Sequence, residues 1–93
     1  MGAIALSDIK KNRTTVEIYG RQYVIVGSES PTQIKLVAAM VDEKMREISA
    51  NNPFLDVSKV AVLTAVNAVN DYLKLKERLE RLEKELNELK EKD

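Results

Sequence analysis

The stretch Tyr72–Leu89 reads YLKLKERLERLEKELNEL, and the spacing of its leucines decides the fold. Leu75, Leu79, Leu82, Leu86 and Leu89 are separated by four, three, four and three residues. That is a heptad, with Leu75, Leu82 and Leu89 at d, Leu79 and Leu86 at a, and Tyr72 at the preceding a position. Almost everything between them is Lys, Arg or Glu, so the helix carries one narrow apolar seam and a solvated remainder. Little else in so short a chain is left to cover the seam. The pattern therefore predicts self-association, and a role in binding instead of chemistry. The competing reading, a helix folded back on its own head, needs apolar surface that the head has little of to spare.

The flanking charges bear on how two such helices would pair. In a parallel coiled coil a g residue faces the e residue five positions later on the partner. Here those pairs are Asp71 with Lys76, Arg78 with Glu83, and Glu85 with Lys90, all of opposite sign. An antiparallel register also matches Arg78 with Glu85 and Lys76 with Glu83, so both stay open, with the parallel dimer favoured. Leucine at every a and d specifies oligomer number poorly, which leaves a tetramer open as well.

Upstream, no glycine or proline occurs after Pro53, so one helix can run from about residue 57 to residue 91, on the order of 50 Å. Asp56 is its expected N-cap. From Val60 to Val69 it is apolar almost all round, which requires cover on more than one side. A second copy is the natural cover, with Val62, Val66 and Val69 as candidate contacts beside the Tyr72–Leu89 seam. Asn67 and Asn70 read either as exposed, locally bonded residues or as a polar pair that fixes the interface register.

Before this helix lies another. Ser30-Pro31-Thr32-Gln33 supplies an N-cap, a proline at the first helical position and a residue able to complete a capping box. Ile34, Val37, Ala38, Val41, Met45 and Ile48 then recur at helical spacing, and Asn51-Asn52-Pro53 ends the helix. Still earlier, Thr14, Val16 and Ile18 alternate with Thr15, Glu17 and Tyr19, and a second β-prone run covers Gln22–Val26. Gly20-Arg21 between them predicts a type II′ hairpin turn. Residues 1–12 show no sustained period and are expected to be a flexible lead-in. The expected fold is α+β: a head over residues 13–70, made of a hairpin, a short helix and the start of a long helix, then a coiled coil over 71–93. Tyr19, Tyr23, Phe54 and Tyr72 read as core residues and not as an aromatic binding surface.

Composition excludes much. Fifteen basic residues balance fifteen acidic ones, with no electrostatic footprint for nucleic acid. The absence of cysteine removes disulfides, thiol nucleophiles and thiolate metal sites, and the absence of histidine removes the commonest general base and metal ligand. The carboxylates sit mostly on helical solvent faces beside Lys or Arg, without the burial that a catalytic pair needs. There is no phosphate-binding glycine loop. No membrane-length apolar run or signal-peptide pattern occurs, and Leu6 stands where a myristoylation signal needs Ser or Thr. The expectation is a cytoplasmic, non-enzymatic protein without cofactor, metal or small-molecule substrate. A generic dimerisation or DNA-binding regulatory module is the alternative, though a hairpin offering Arg13, Arg21 and little more is a poor reader of DNA.

The segments VEIYGRQYVIVGSES (16–30), LVAAMVDEKMREI (36–48) and NPFLDVSKVAVLTAVNAVNDYLKLKE (52–77) resemble the ZapA family of bacterial cell-division proteins, particularly its short Gram-positive members. The resemblance implies a protein at the mid-cell septum that binds the tubulin-like GTPase FtsZ. It implies bundling of FtsZ filaments by a head-to-head homodimer, or by a tetramer of two such dimers paired through antiparallel tails, whose heads each contact a filament. It also implies that Arg21, after the hairpin glycine, contacts FtsZ. The start of the long helix is a second contact region in the family. Ser58 stands there where some members carry glutamate, and Lys59 beside it is the candidate.

Overall fold

The computed structural model describes residues 2–5 and 12–91. The elements are β1 (Ala3–Ala5), β2 (Asn12–Ile18), β3 (Arg21–Gly27), α1 (Pro31–Asn51) and α2 (Val57–Glu91). This is the expected α+β order, a hairpin and helix followed by one long helix. The sheet has three strands, ordered β1-β3-β2. β2 and β3 form the antiparallel hairpin, with Thr14 opposite Ile25 and Val16 opposite Tyr23. The period-two reading holds: Thr14 and Val16 are buried and Ile18 half-buried, while Thr15 and Glu17 are exposed.

Two expectations about the hairpin are corrected. The first concerns its N-terminal side, where Ala3–Ala5 forms a strand parallel to β3, with Ala3 beside Val24 and Ala5 beside Val26. The lead-in expected over 1–12 is thus partly a strand, and its residues 6–11 lie outside the described ones. Ala-Ile-Ala has weak β propensity and too few residues to show a period. The legible signal was in β3, whose unbroken apolar run Tyr23–Val26 suits a strand flanked on both sides.

The second correction moves the turn by one residue. Tyr19 and Gly20, at φ 53° and 79°, occupy its centre, and Ile18 pairs with Arg21 across it. Two left-handed central residues suit a type I′ turn, not II′. A tyrosine in that region costs about 1–2 kcal/mol, so local preference does not select it. Tertiary bonds do. The Tyr19 amide donates to Asp42 Oδ1 at 2.7 Å and its hydroxyl to Ser49 Oγ at 2.8 Å. The Arg46 guanidinium carbon stands 5.8 Å from the Tyr19 ring centroid. Arg21 consequently begins a strand instead of sitting in the turn.

α1 lies across one face of the hairpin. Its N-cap is Ser30, whose Oγ accepts from the Gln33 amide at 3.1 Å. Ile34 and Ala38 pack with Val16, and Ile18, Tyr23 and Ile25 close around them. Further along, Met45 and Ile48 meet Val60 of α2, with Ile18, Tyr19, Val41 and Leu55 around this second cluster. Ile18 belongs to both, so the core is continuous. Val37, expected in the buried face, is 45% exposed. Among the expected core aromatics, Tyr19 and Tyr23 pack, but Phe54 and Tyr72 are exposed.

Past Thr64, α2 leaves the head and buries nothing. The Cα radius of gyration is 17.8 Å, against about 12 Å for a compact chain of this length. The accessible surface is 7497 Å², about 2,000 Å² more than a compact monomer of this mass exposes. Gly20→Ala tests the turn. A Cβ there would meet no atom within 4 Å, so the cost is backbone strain alone, about 1–2 kcal/mol by urea unfolding. Gly20→Asn should lose clearly less, because asparagine tolerates the left-handed region.

Candidate functional site

Two surfaces stand out. The first is the hairpin end of the head. There the Tyr19–Gly20 turn and Arg46, Ser49 and Ala50 of α1 line a shallow cleft. Asp42 ties it together, accepting the Tyr19 amide through Oδ1 and Arg46 Nε through Oδ2 at 3.0 Å. The Tyr19 N–H, and then the Arg46 guanidinium, hold the Asp42 carboxyl below its ordinary value of 3.8. Asp42 in turn holds the Arg46 pKa above its ordinary value.

Arg21 is exposed beside this turn, at the first position of β3. Lys59 is exposed on the first turn of α2, where its amide caps onto Asp56 Oδ1 at 2.9 Å. No hydrogen bond or ion pair joins the two among the described residues, whose salt bridges are Lys44–Glu47 and Arg46–Asp42. Phe54 in the α1–α2 loop is fully exposed. Its loop is nonetheless fixed: Asn52 Nδ2 donates to the Ile48 carbonyl at 3.0 Å, and the Leu55 amide to the Asn52 carbonyl at 3.1 Å. Phe54, expected in the core, is thus a fully exposed aromatic on a hydrogen-bonded loop. Its place between two prolonged helices, right after Pro53, was the available signal.

The second surface is the open side of α2. Tyr72, Leu75, Leu79, Leu82, Leu86 and Leu89 form one stripe and are all between 52% and 64% exposed. Val62, Val66 and Val69 are equally open, at 61%, 58% and 64%. They do not continue the leucine seam. At about 100° per residue the seam runs back through Ala68 and Ala65, a quarter turn from the side where Val60 and Thr64 face the head. Val62, Val66, Val69 and Leu73 lie about a further quarter turn round, opposite α1. Along the valine stripe, Ala65, Val66, Val69, Asn70 and Leu73 line an apolar groove. Asn67 takes its local option, donating to the Leu63 carbonyl at 2.8 Å. Among the described residues, no cluster of carboxylates could hold a metal ion, and no helix is long and apolar enough to cross a membrane.

A small α+β head on a long helix with an uncovered leucine seam defines an assembly protein, one whose surfaces are built for other chains. The comparisons agree. A family profile described as cell division protein ZapA matches residues 14–92, and the chain belongs to that family. It is 59% identical over 88 residues to cell division protein ZapA of Bacillus licheniformis, covering 95% of this chain and all of that one. With the Bacillus subtilis protein of the same name it shares 57% over 83 residues, 89% of this chain and 98% of the other. Among solved structures, a ZapA mutant dimer from Geobacillus stearothermophilus matches with TM-score 0.68 and 54% identity, over 88% of this chain and 95% of that chain. A conserved bacterial protein of unknown function from Pseudomonas aeruginosa also matches at TM-score 0.68, with 32% identity over 84% of this chain and 87% of that chain.

The low Asp42 pKa has a sign. A carboxylate depressed in the folded state stabilises above its unfolded value, and that contribution is lost as pH falls through the folded value. Thermal midpoints should therefore drop as pH is lowered from about 5 towards 2, and part of the drop should disappear in Asp42→Asn. Parallel midpoint-against-pH curves for the two proteins would show that Asp42 does not carry this linkage.

Proposed function

We propose that this chain is a non-enzymatic cell-division protein that forms a parallel homodimer, binds FtsZ filaments and ties them together at the mid-cell septum. The observation that carries the reading is the uncovered seam from Tyr72 to Leu89 joined without a break to a folded head. The family's role in cell division and the mutant dimer of the Geobacillus relative support it. A parallel seam holds two heads at one end of a shared rod. One head decorates a filament, but two linked heads raise the effective concentration of the second contact and can bridge filaments.

Arg21 and Lys59 are the polar contacts in this reading, and Phe54 adds an apolar anchor on a fixed loop. Guanidinium groups pair well with carboxylates on an acidic filament surface, and an exposed aromatic supplies a large apolar area to bury on binding. The seam residues, with Val62, Val66 and Val69, hold the dimer.

Sedimentation of FtsZ with GTP tests the proposal. Wild-type protein should enter the pellet and increase polymer recovery. Arg21→Glu should weaken co-sedimentation about fivefold or more, in line with losing a hot-spot arginine, at unchanged oligomeric mass. Leu82→Glu places a charge in the seam and should instead shift sedimentation equilibrium towards monomer and abolish bundling. Retained binding and bundling in Arg21→Glu would remove Arg21 from the contact.

A further inference from the structure

β3 is the middle strand of the sheet, but its two edges are filled very differently. On one side β2 pairs with it along its whole length, from Arg21 to Gly27. On the other, β1 pairs only with Val24, Ile25 and Val26. Ala3, Ile4 and Ala5 are all exposed, and neither core cluster contains any of them. β1 also lies wholly outside the stretch 14–92 that the family profile matches. A strand that buries nothing is held by its backbone bonds alone, and each of those is weak against water.

The open part of this edge adjoins Arg21. Ile18 pairs with Arg21 beside the turn, so the hairpin's alternation points the Gln22, Val24 and Val26 backbone groups away from β2. β1 begins opposite Val24, and Arg21–Tyr23 carry no strand on that side. Arg21, Tyr23 and Ile25 share one face of the sheet, the first exposed and the others half-buried. Ile4, opposite Ile25, points to that same face. β1 therefore shows what a longer occupant would look like. Running parallel to β3 from Arg21 to Val26, the occupant would set its fifth residue where Ile4 stands. Its third would lie opposite Tyr23 and its first opposite Arg21. The third and fifth meet apolar neighbours, and the first meets a guanidinium.

We propose that the outer edge of β3 is a docking edge for an extended segment of the filament partner, acidic at its first position and apolar at its third and fifth, which adds as a parallel strand where β1 sits. In strand addition the main-chain bonds give affinity and the alternate side chains give specificity. A carboxylate suits the first position because the planar guanidinium of Arg21 grips it at two points. β1 covers the edge until the segment arrives, and so guards against unwanted strand pairing. The inference rests on the FtsZ reading and on Arg21 as a contact, and it adds how the partner is held.

The chain has no cysteine, so an introduced pair reports alone. Ala3→Cys with Val24→Cys would lock β1 onto β3, since paired strands lie about 4.8 Å apart and a disulfide spans Cα atoms within about 7 Å. Single-chain mobility on a non-reducing gel identifies the intrachain bond. In FtsZ sedimentation with GTP, the oxidised protein should bind about fivefold or more weakly than the same protein reduced. Equal binding would overturn the proposal. A labelled six-residue peptide, with glutamate first, valine third and isoleucine fifth, tests the edge without FtsZ. By fluorescence anisotropy the chain lacking residues 2–5 should bind it about fivefold or more tightly than a twin peptide with lysine first, and Arg21→Glu should reverse that order. The shortened chain should keep its circular dichroism spectrum, because β1 lies outside both core clusters. Failure of the folded, shortened chain to bind the peptide would also overturn the proposal, and the locked pair decides on the full chain if the shortened one unfolds. If the peptide binds while the wild-type protein does not sediment with FtsZ, the edge stands and the FtsZ reading falls.

Discussion

One helix cannot bury three sides of itself against one neighbour. α2 is apolar towards α1, apolar along its leucine seam and apolar again along Val62, Val66, Val69 and Leu73, while the rest of the chain supplies a single short helix and a small sheet. Only Val60 and Thr64 find cover within the chain. Each exposed Leu or Val, about half covered as it stands, leaves unrealised only part of the roughly 1.5–3 kcal/mol that full burial gives. The organisation of the protein follows from that shortage: a head too small to finish its own core, and a tail whose only use for its leucines is another chain.

The head answers the shortage with directed polar bonds. Its sheet and helix are fastened at one end by a single residue, Tyr19, which accepts an unfavourable backbone conformation to reach Asp42, Arg46 and Ser49 at once. Its amide, its hydroxyl and its ring each meet a different partner on α1. Hairpin and helix are thereby held in one relative orientation beside the cluster of Met45, Ile48 and Val60. The exposed groups beside this clamp, Arg21 above all, inherit a fixed position from it.

Much of this was legible in the residues. The leucine spacing, the absence of glycine and proline after Pro53, and the Ser30 and Asp56 caps located both helices because each rests on local, periodic signals. The alternation Thr14–Val16–Ile18 found the inner face of the hairpin for the same reason. What escaped was set by contacts distant in sequence. The turn shifted to Tyr19–Gly20 because Asp42 and Ser49, more than twenty residues away, hold the tyrosine. β1 escaped because its order comes from the edge of β3. Val37 fell outside the buried face because the sheet spans only part of the width of α1. Of the candidate contacts, Arg21 and Lys59 proved exposed. Phe54 was misread as core since its exposure depends on where the loop projects, which no periodicity records.

The unbroken course of α2 from Val57 to Glu91 has a consequence for how such a protein can change over time. Head and tail share one helix with no hinge, so the direction of the seam is locked in phase with the face that meets α1. Inserting or deleting a single residue anywhere between them would rotate every leucine beyond it by about 100° relative to the head. Seven or eleven residues restore the phase to within about 20°, and eighteen restore it fully. Length in this helix is therefore quantised: the rod can grow or shrink by a heptad, which moves the tail's end by about 10 Å, or by eleven residues, but steps of one or two residues turn the seam away.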